Sequence, residues 1–350
     1  MSLGDRPRRG VVLGLAAALS FGIAAPFAKV LLEDARPQLL AGLLYLGSFV
    51  VLGAVAPFRH RAREARLRRA DAPRLIGLVL TGGVIAPVLL LVGLERVTGS
   101  TGSLLLNLEG PFTVLIGLAV FGEHLGRRAS LGAGAVFAAG ALLALSGPSG
   151  SADALGAFCI AGACLLWGVD NNLTHTLTLR DPFSIVTVKA GAAATVNLVL
   201  ALALGSPLPP LLAVAGALGL GGLSYGLSIL LDAYALRLLG AAREAAVFAT
   251  APFIGAIVAI PVLSETLSIA DVIAGGIMAG GIALMVAERH AHEHVHAVVE
   301  HEHAHIHDEH HQHDHEPGEA ATEPHSHVHR HDRLVHAHAH VSDLHHRHAH

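Results

Sequence analysis

Charge is scarce in this chain of 350 residues: Asp, Glu, Lys and Arg together make up 14%. With 53% apolar residues and a mean hydropathy of +0.57, that scarcity excludes an ordinary soluble domain. Cysteine is nearly absent. Cys159 and Cys164 are the whole complement and sit five apart in one apolar run, which excludes a disulfide framework and a thiolate metal site. No phosphate-cradling P-loop is present, which argues against ATP drive. There is no nucleophile–base pairing and no metalloprotease motif, so the chain reads as a non-enzyme. No nucleic-acid partner and no required cofactor are expected. A cleavable signal peptide is not expected either: the first apolar run is long enough to span a bilayer, and no polar stretch follows a small-residue cleavage site.

What is there is apolar and periodic. Windows of roughly 18–22 apolar residues predict ten membrane helices, near 10–31, 37–57, 75–95, 99–121, 129–147, 153–174, 182–204, 209–236, 244–263 and 269–287. The joints are too short to fold separately, so the chain divides into two five-helix halves, 1–147 and 148–288, and a tail, 289–350. Arginine sets the expected orientation. Arg6, Arg8 and Arg9 lie at the amino end, and seven arginines from Arg59 to Arg74 follow the second span. Arg127, Arg128, Arg180, Arg237 and Arg243 mark the later joints on that side, while the alternate joints are poor in positive charge. The positive-inside rule places both ends in the cytoplasm of a cell (inner) membrane protein. Five spans per half is an odd number. The second half therefore enters from the opposite face, and the repeats are inverted.

The halves repeat in sequence as well. LEGPFTVLIGLAVFGEHL (Leu108 to Leu125) and ATAPFIGAIVAIPVLSETL (Ala249 to Leu267) are each opened by Pro-Phe and closed by Glu-x-Leu. Each leads into a glycine-rich apolar helix, GAGAVFAAGALLAL or AGGIMAGGIALM. FGIAAPFAK from residue 21 and WGVDNNLTH from residue 167 align as the first spans of the halves. In this combination the chain resembles the EamA-type members of the drug/metabolite transporter superfamily over about residues 10–287. The resemblance implies an all-α membrane protein of ten helices in two inverted repeats, with a central solute site open to one side at a time. It does not name the cargo. The halves differ at central positions: Pro26 and Lys29 correspond to Asn172 and His175, and Glu109 has no acidic partner near Thr250.

An ionisable side chain in hydrocarbon is costly unless it faces a cavity or a partner, so each such residue is a site candidate. Glu109 and Asn107 lie midway along the fourth span, just before Gly110-Pro111; they share one cavity only if the helix is irregular there. Asp170, Asn171 and Asn172 form a polar run near the end of the sixth span. Lys189 lies well inside the seventh and is expected to pair with Glu109 or Asp170. Tyr225 on the eighth span completes the candidate substrate-binding set, and Asp232 approaches that span's end. Glu123 and Glu265 read as structural, each accepting hydrogen bonds from the start of the next helix. Gly276 and Gly280 have small-xxx-small spacing, which suits close packing within one subunit or across a homodimer.

The tail holds 23 of the 26 histidines. Imidazole is a common ligand for Zn²⁺, Ni²⁺ and Co²⁺. The densest run offers His301, His303, His305, His307, His310, His311, His313 and His315, and its pattern predicts several weak, exchangeable sites. Too few large apolar residues remain to form a core, so disorder is expected. The leading reading is a secondary transporter of a small solute in the lipid bilayer, with a cytosolic metal-binding tail. The alternatives are a Ni/Co/Zn carrier, with the metal ion as cargo, or a membrane metal sensor without transport.

Overall fold

Among the described residues of the computed structural model, ten helices are long and apolar enough to cross a membrane: Arg8–Leu31, Pro37–Phe58, Arg69–Leu94, Gly99–Val120, Arg127–Leu145, Asp153–His175, Pro182–Ala203, Leu211–Asp232, Glu244–Leu263 and Ile269–Val286. We refer to them as the first to tenth spans. The structure describes residues 5–58, 66–121, 126–146, 151–177, 180–239 and 241–287, with 290–296, 299–305, 325–331 and 334–340 of the tail. The third span starts earlier than its apolar run because Asp71 caps it, accepting the Arg68 amide at 2.8 Å, and Pro73 occupies its first turn.

The packing obeys the exchange that inverted repeats require. The fifth and tenth spans pack together, as do the second and seventh and the fourth and ninth. The first packs on the eighth, and its counterpart is the packing of the third on the sixth. Glycine sets the closest approach. A Cβ on Gly47 would strike the backbone of Leu218, and one on Gly221 would strike the backbone of Leu44, so the second and eighth spans touch main chain to main chain. Gly132 and Gly281 do the same for the fifth and tenth. Gly276 and Gly280, by contrast, meet nothing within 4 Å among the described residues; within this subunit they are not the packing pair that their spacing suggests.

Breaks recur at equivalent places. The fourth span is helical over Gly99–Leu105, tightens to a 3₁₀ turn over Leu106–Leu108 and resumes at Glu109. Proline explains this: Pro111 has no N–H to offer the carbonyl four residues back and crowds it. The ninth breaks between Ala241–Phe248 and Ala251–Leu263, again just before its Pro-Phe pair. A second matched irregularity carries no such motif. The third span contains a π-helical segment, Val79–Ile85, and the eighth contains another, Gly222–Leu227.

The described residues of the tail form two antiparallel ribbons, His290–His296 with Leu334–His340 and Val299–His305 with His325–His331. Alternation of histidine with other residues is a period-two pattern, which suits a strand, and the register sets His292 against His338 and His303 against His327. An isolated two-stranded ribbon is only marginally stable in water.

Candidate functional site

The π-helical segment of the third span is the floor of the polar cluster. Pro87 leaves the Gly83 carbonyl without its helical donor, and Asn197 Nδ2 of the seventh span donates to it at 3.0 Å. Gln38 in turn donates to Asn197 Oδ1 at 2.7 Å. The neighbouring Gly82 carbonyl accepts from the Tyr45 hydroxyl at 2.7 Å and from Trp167 Nε1 at 3.2 Å. Three spans thus grip one irregular turn, and the unpaired backbone acceptors that such a turn creates are satisfied.

Against this turn lies an ion pair. Lys189 Nζ donates to Asp170 Oδ2 at 2.5 Å, joining the seventh span to the sixth. Asp170 is buried, and its other oxygen, Oδ1, has no hydrogen-bond partner among the described residues. Only a glycine at 82 leaves room for that carboxylate, because a Cβ there would overlap it. Glu109 Oε1 accepts from Asn171 Nδ2 at 2.8 Å. It lies within electrostatic reach of both Asp170 and Lys189. Tyr225, on the π-helical segment of the eighth span, packs against Tyr45 in a tilted arrangement with ring centroids 5.5 Å apart and lies within electrostatic reach of Glu109. Asp170, Lys189, Glu109, Asn171 and Tyr225 are therefore brought together from four spans, the fourth, sixth, seventh and eighth.

Two of the expected site residues are used otherwise. Asn107 is buried and turned away: its Nδ2 donates to Leu104 O at 2.9 Å and lies 3.7 Å from Met278 Sδ of the tenth span. The 3₁₀ turn that was needed to bring Asn107 and Glu109 to one side is present, yet it leaves them on different faces. Asn172 bridges the sixth and fourth spans, donating to Gly168 O at 2.8 Å and Thr113 O at 2.9 Å. Of the tail residues, His301, His303 and His305 lie in the strand Val299–His305. His307, His310, His311, His313 and His315 lie outside the described residues, as does Glu123. Sequence reasoning missed Tyr45, Trp167 and Gly82; the signal available was the Gly-Gly pair recurring in the third and eighth spans.

A second polar group closes the face opposite the termini. Lys29 Nζ donates to Leu94 O at 2.5 Å and Val97 O at 2.7 Å. Glu265 accepts from the amides of Gly99 at 2.6 Å and Ser100 at 2.9 Å, and from the Ser100 hydroxyl at 3.0 Å. Glu265 is thus a helix cap, as its position suggests, but it caps the fourth span rather than the helix that follows it. That helix is capped by Ser268 and Asp271. On the termini side, Arg180 Nε meets Asp71 Oδ2 at 2.8 Å. An open apolar cavity of about 910 Å³ between the ninth and tenth spans is lined by Phe253, Ile257 and Ile282 among others, and shares no residue with the polar cluster.

Comparison with known proteins agrees with this architecture. The model of the EamA-like transporter family matches residues 8–145 and 154–287, one copy for each half. An uncharacterized transporter of Methanothermobacter thermautotrophicus is 30% identical, over 79% of this chain and 85% of that protein. A protein of known crystal structure, 18% identical, superposes with a TM-score of 0.57 over 79% of this chain and 95% of that one, a likeness of fold alone. With two family copies spanning all ten helices and each copy supplying its own π-helical segment, the chain is a multi-pass membrane protein that belongs to the EamA-like transporter family.

Proposed function

We propose that this transporter is a secondary carrier that moves a small polar solute by alternating access, with Asp170, Lys189, Glu109, Asn171 and Tyr225 contacting the cargo. The observation that carries this reading is the Lys189–Asp170 pair, set among apolar helices with Asp170 Oδ1 left free. A buried acceptor without a donor is costly, and a solute N–H or O–H would relieve it. The cluster offers an ammonium, two carboxyl groups, an amide and a phenol, a set suited to an organic solute bearing both donors and acceptors. Among the described residues no three of His, Cys, Asp and Glu converge, which favours such a cargo over a metal ion at this site. The bonds made by Lys29 and Glu265 support a state closed on the face opposite the termini. The test is a growth and uptake screen of cells lacking the protein, against common metabolites and metals. A solute phenotype restored by the wild type but not by Asp170→Asn supports the reading; restoration by both removes the cluster from transport.

The orientation is part of the proposal. Arginine gathers in the joints on the termini side, Arg59 to Arg74 above all, so a reporter fused after residue 287 should report cytoplasm, and one placed within 147–153 should report the outside. The reverse result would overturn the assignment. On this reading the tail faces the cytosol, where its histidines gather Ni²⁺, Co²⁺ or Zn²⁺.

A further inference from the structure

The corner between the third and fourth spans has a counterpart in the second half, the corner between the eighth and ninth, and the two are electrically unlike. The first is held by Lys29 on its carbonyls and Glu265 on its amides. The second brings two acids together: the carboxyl of Asp232, which ends the eighth span, faces that of Glu244, which begins the ninth. Glu244 is 8% exposed. Among the described groups no N–H or O–H reaches Glu244 Oε1 or Asp232 Oδ1. Two carboxyl oxygens are both acceptors when ionised, so holding them together out of water needs a cation between them, and a proton is the smallest.

We propose that Asp232 and Glu244 form a proton-binding site, sharing one proton that keeps the corner on the termini side closed. The proton comes from water on that side, and the pair then carries one negative charge rather than two. Loss of the proton leaves two carboxylates facing each other in a poorly solvated place, and their repulsion separates the ends of the eighth and ninth spans. The elements packed on the corner are the first span and the tenth. The first brings Arg8 and Arg9, both exposed, and the corner itself carries Arg237 and Arg243, whose side chains lie outside the described ones. Among the described residues the tenth span brings no ionisable group to this end, its Asp271 lying at the other; Glu288 and Arg289, which follow it, lie outside the described residues. The site uses no residue of the central cluster, so it stands or falls independently of the cargo.

Hydrogen–deuterium exchange of the full-length protein in lipid tests this, read on the amides of residues 228–250 and corrected for the intrinsic pH dependence of exchange. Between about pH 5.5 and about pH 8.5 exchange in the wild type should rise about tenfold, the equivalent of one pK unit of differential interaction. Glu244→Gln keeps a donor between the two groups without a titrating proton, and should hold exchange at its low-pH value throughout. Asp232→Asn gives a second, independent variant. The infrared band of a protonated carboxyl present in the wild type near neutral pH should disappear in either. A pH rise that persists in both variants, a flat wild-type profile, or a response to Na⁺ at fixed pH in place of the response to protons would overturn the proposal.

Discussion

Lys189→Ala should abolish solute movement and lower the thermal stability of the membrane domain, whereas Asp170→Asn with Lys189→Gln should recover stability but not transport. The sign follows from which group is left behind. Alanine at 189 removes the partner of a carboxylate that is 5% exposed and whose second oxygen already lacks a donor. Breaking a buried pair on one side typically costs about 3–5 kcal/mol, because the remaining charge is uncompensated. Here the Lys189 side chain is 17% exposed, so water relieves some of that cost and the lower end applies. Neutralising both partners removes the uncompensated charge and leaves amides that can still bond to each other. The solute, however, then meets neither charge. Uptake of the solute found by the screen, with melting temperature measured on the same purified variants, separates the two effects. Normal transport by the double variant would reduce the pair to a structural brace between the sixth and seventh spans.

Much of this architecture can be read from the residues because apolar runs, parity and proline act locally. The Pro-Phe pairs at 111 and 252 each follow a helix break, as the missing N–H requires. The pairing of Lys189 was legible for a related reason: an ammonium that deep in an apolar run has few partners to choose from, and Asp170 is one of the two acids near it in the spans. What the sequence did not disclose depends on rotation about helix axes. Asn107 and Glu109 are two residues apart, yet one turns to Met278 and the other to Asn171, because a short 3₁₀ turn shifts the faces by an amount that no spacing rule gives. Glu265 shows the same limit. Its capping role follows from its place before a helix, but inversion of the repeats brings the amides of Gly99 and Ser100 nearer than those of its own successor. The asymmetry of the two corners is likewise tertiary, since Asp232 and Glu244 are ordinary helix-end acids until the chain turns and sets them face to face.

Removing residues 290–350 should leave the membrane domain folded and eliminate most of the chain's affinity for Ni²⁺ and Zn²⁺. The buried core is formed by residues of the ten spans, and the described strands of the tail pair with one another as two separate ribbons. The tail holds 23 of the 26 histidines, against His60, His124 and His175 in the remainder. Among the described residues of the membrane domain no metal-ligand group of three exists to replace them. Because imidazole binds metal only when neutral, affinity in the intact protein should fall steeply as pH drops through about 6.5. Each ion bound at low pH must displace protons from imidazolium groups, so the protons released per ion, measured in the same titration, should rise as the affinity falls. The two ribbons bear on stoichiometry. Their register sets histidine opposite histidine at six positions, from His290 against His340 to His305 against His325. With histidine recurring at alternate positions along the tail and no bracketed ligand motif, several ions of similar, modest affinity are expected rather than one tight site. If the solute is organic, truncation should leave its movement unchanged at every metal level. If metal itself is carried, truncation should lower transport when metal is scarce and spare it when metal is abundant, because the tail gathers ions and forms no part of the path. Calorimetric titration of the full-length and truncated proteins, with cell metal content measured beside it, distinguishes these outcomes. Equal affinity in the two would place the metal site among the membrane helices and remove the tail from metal handling.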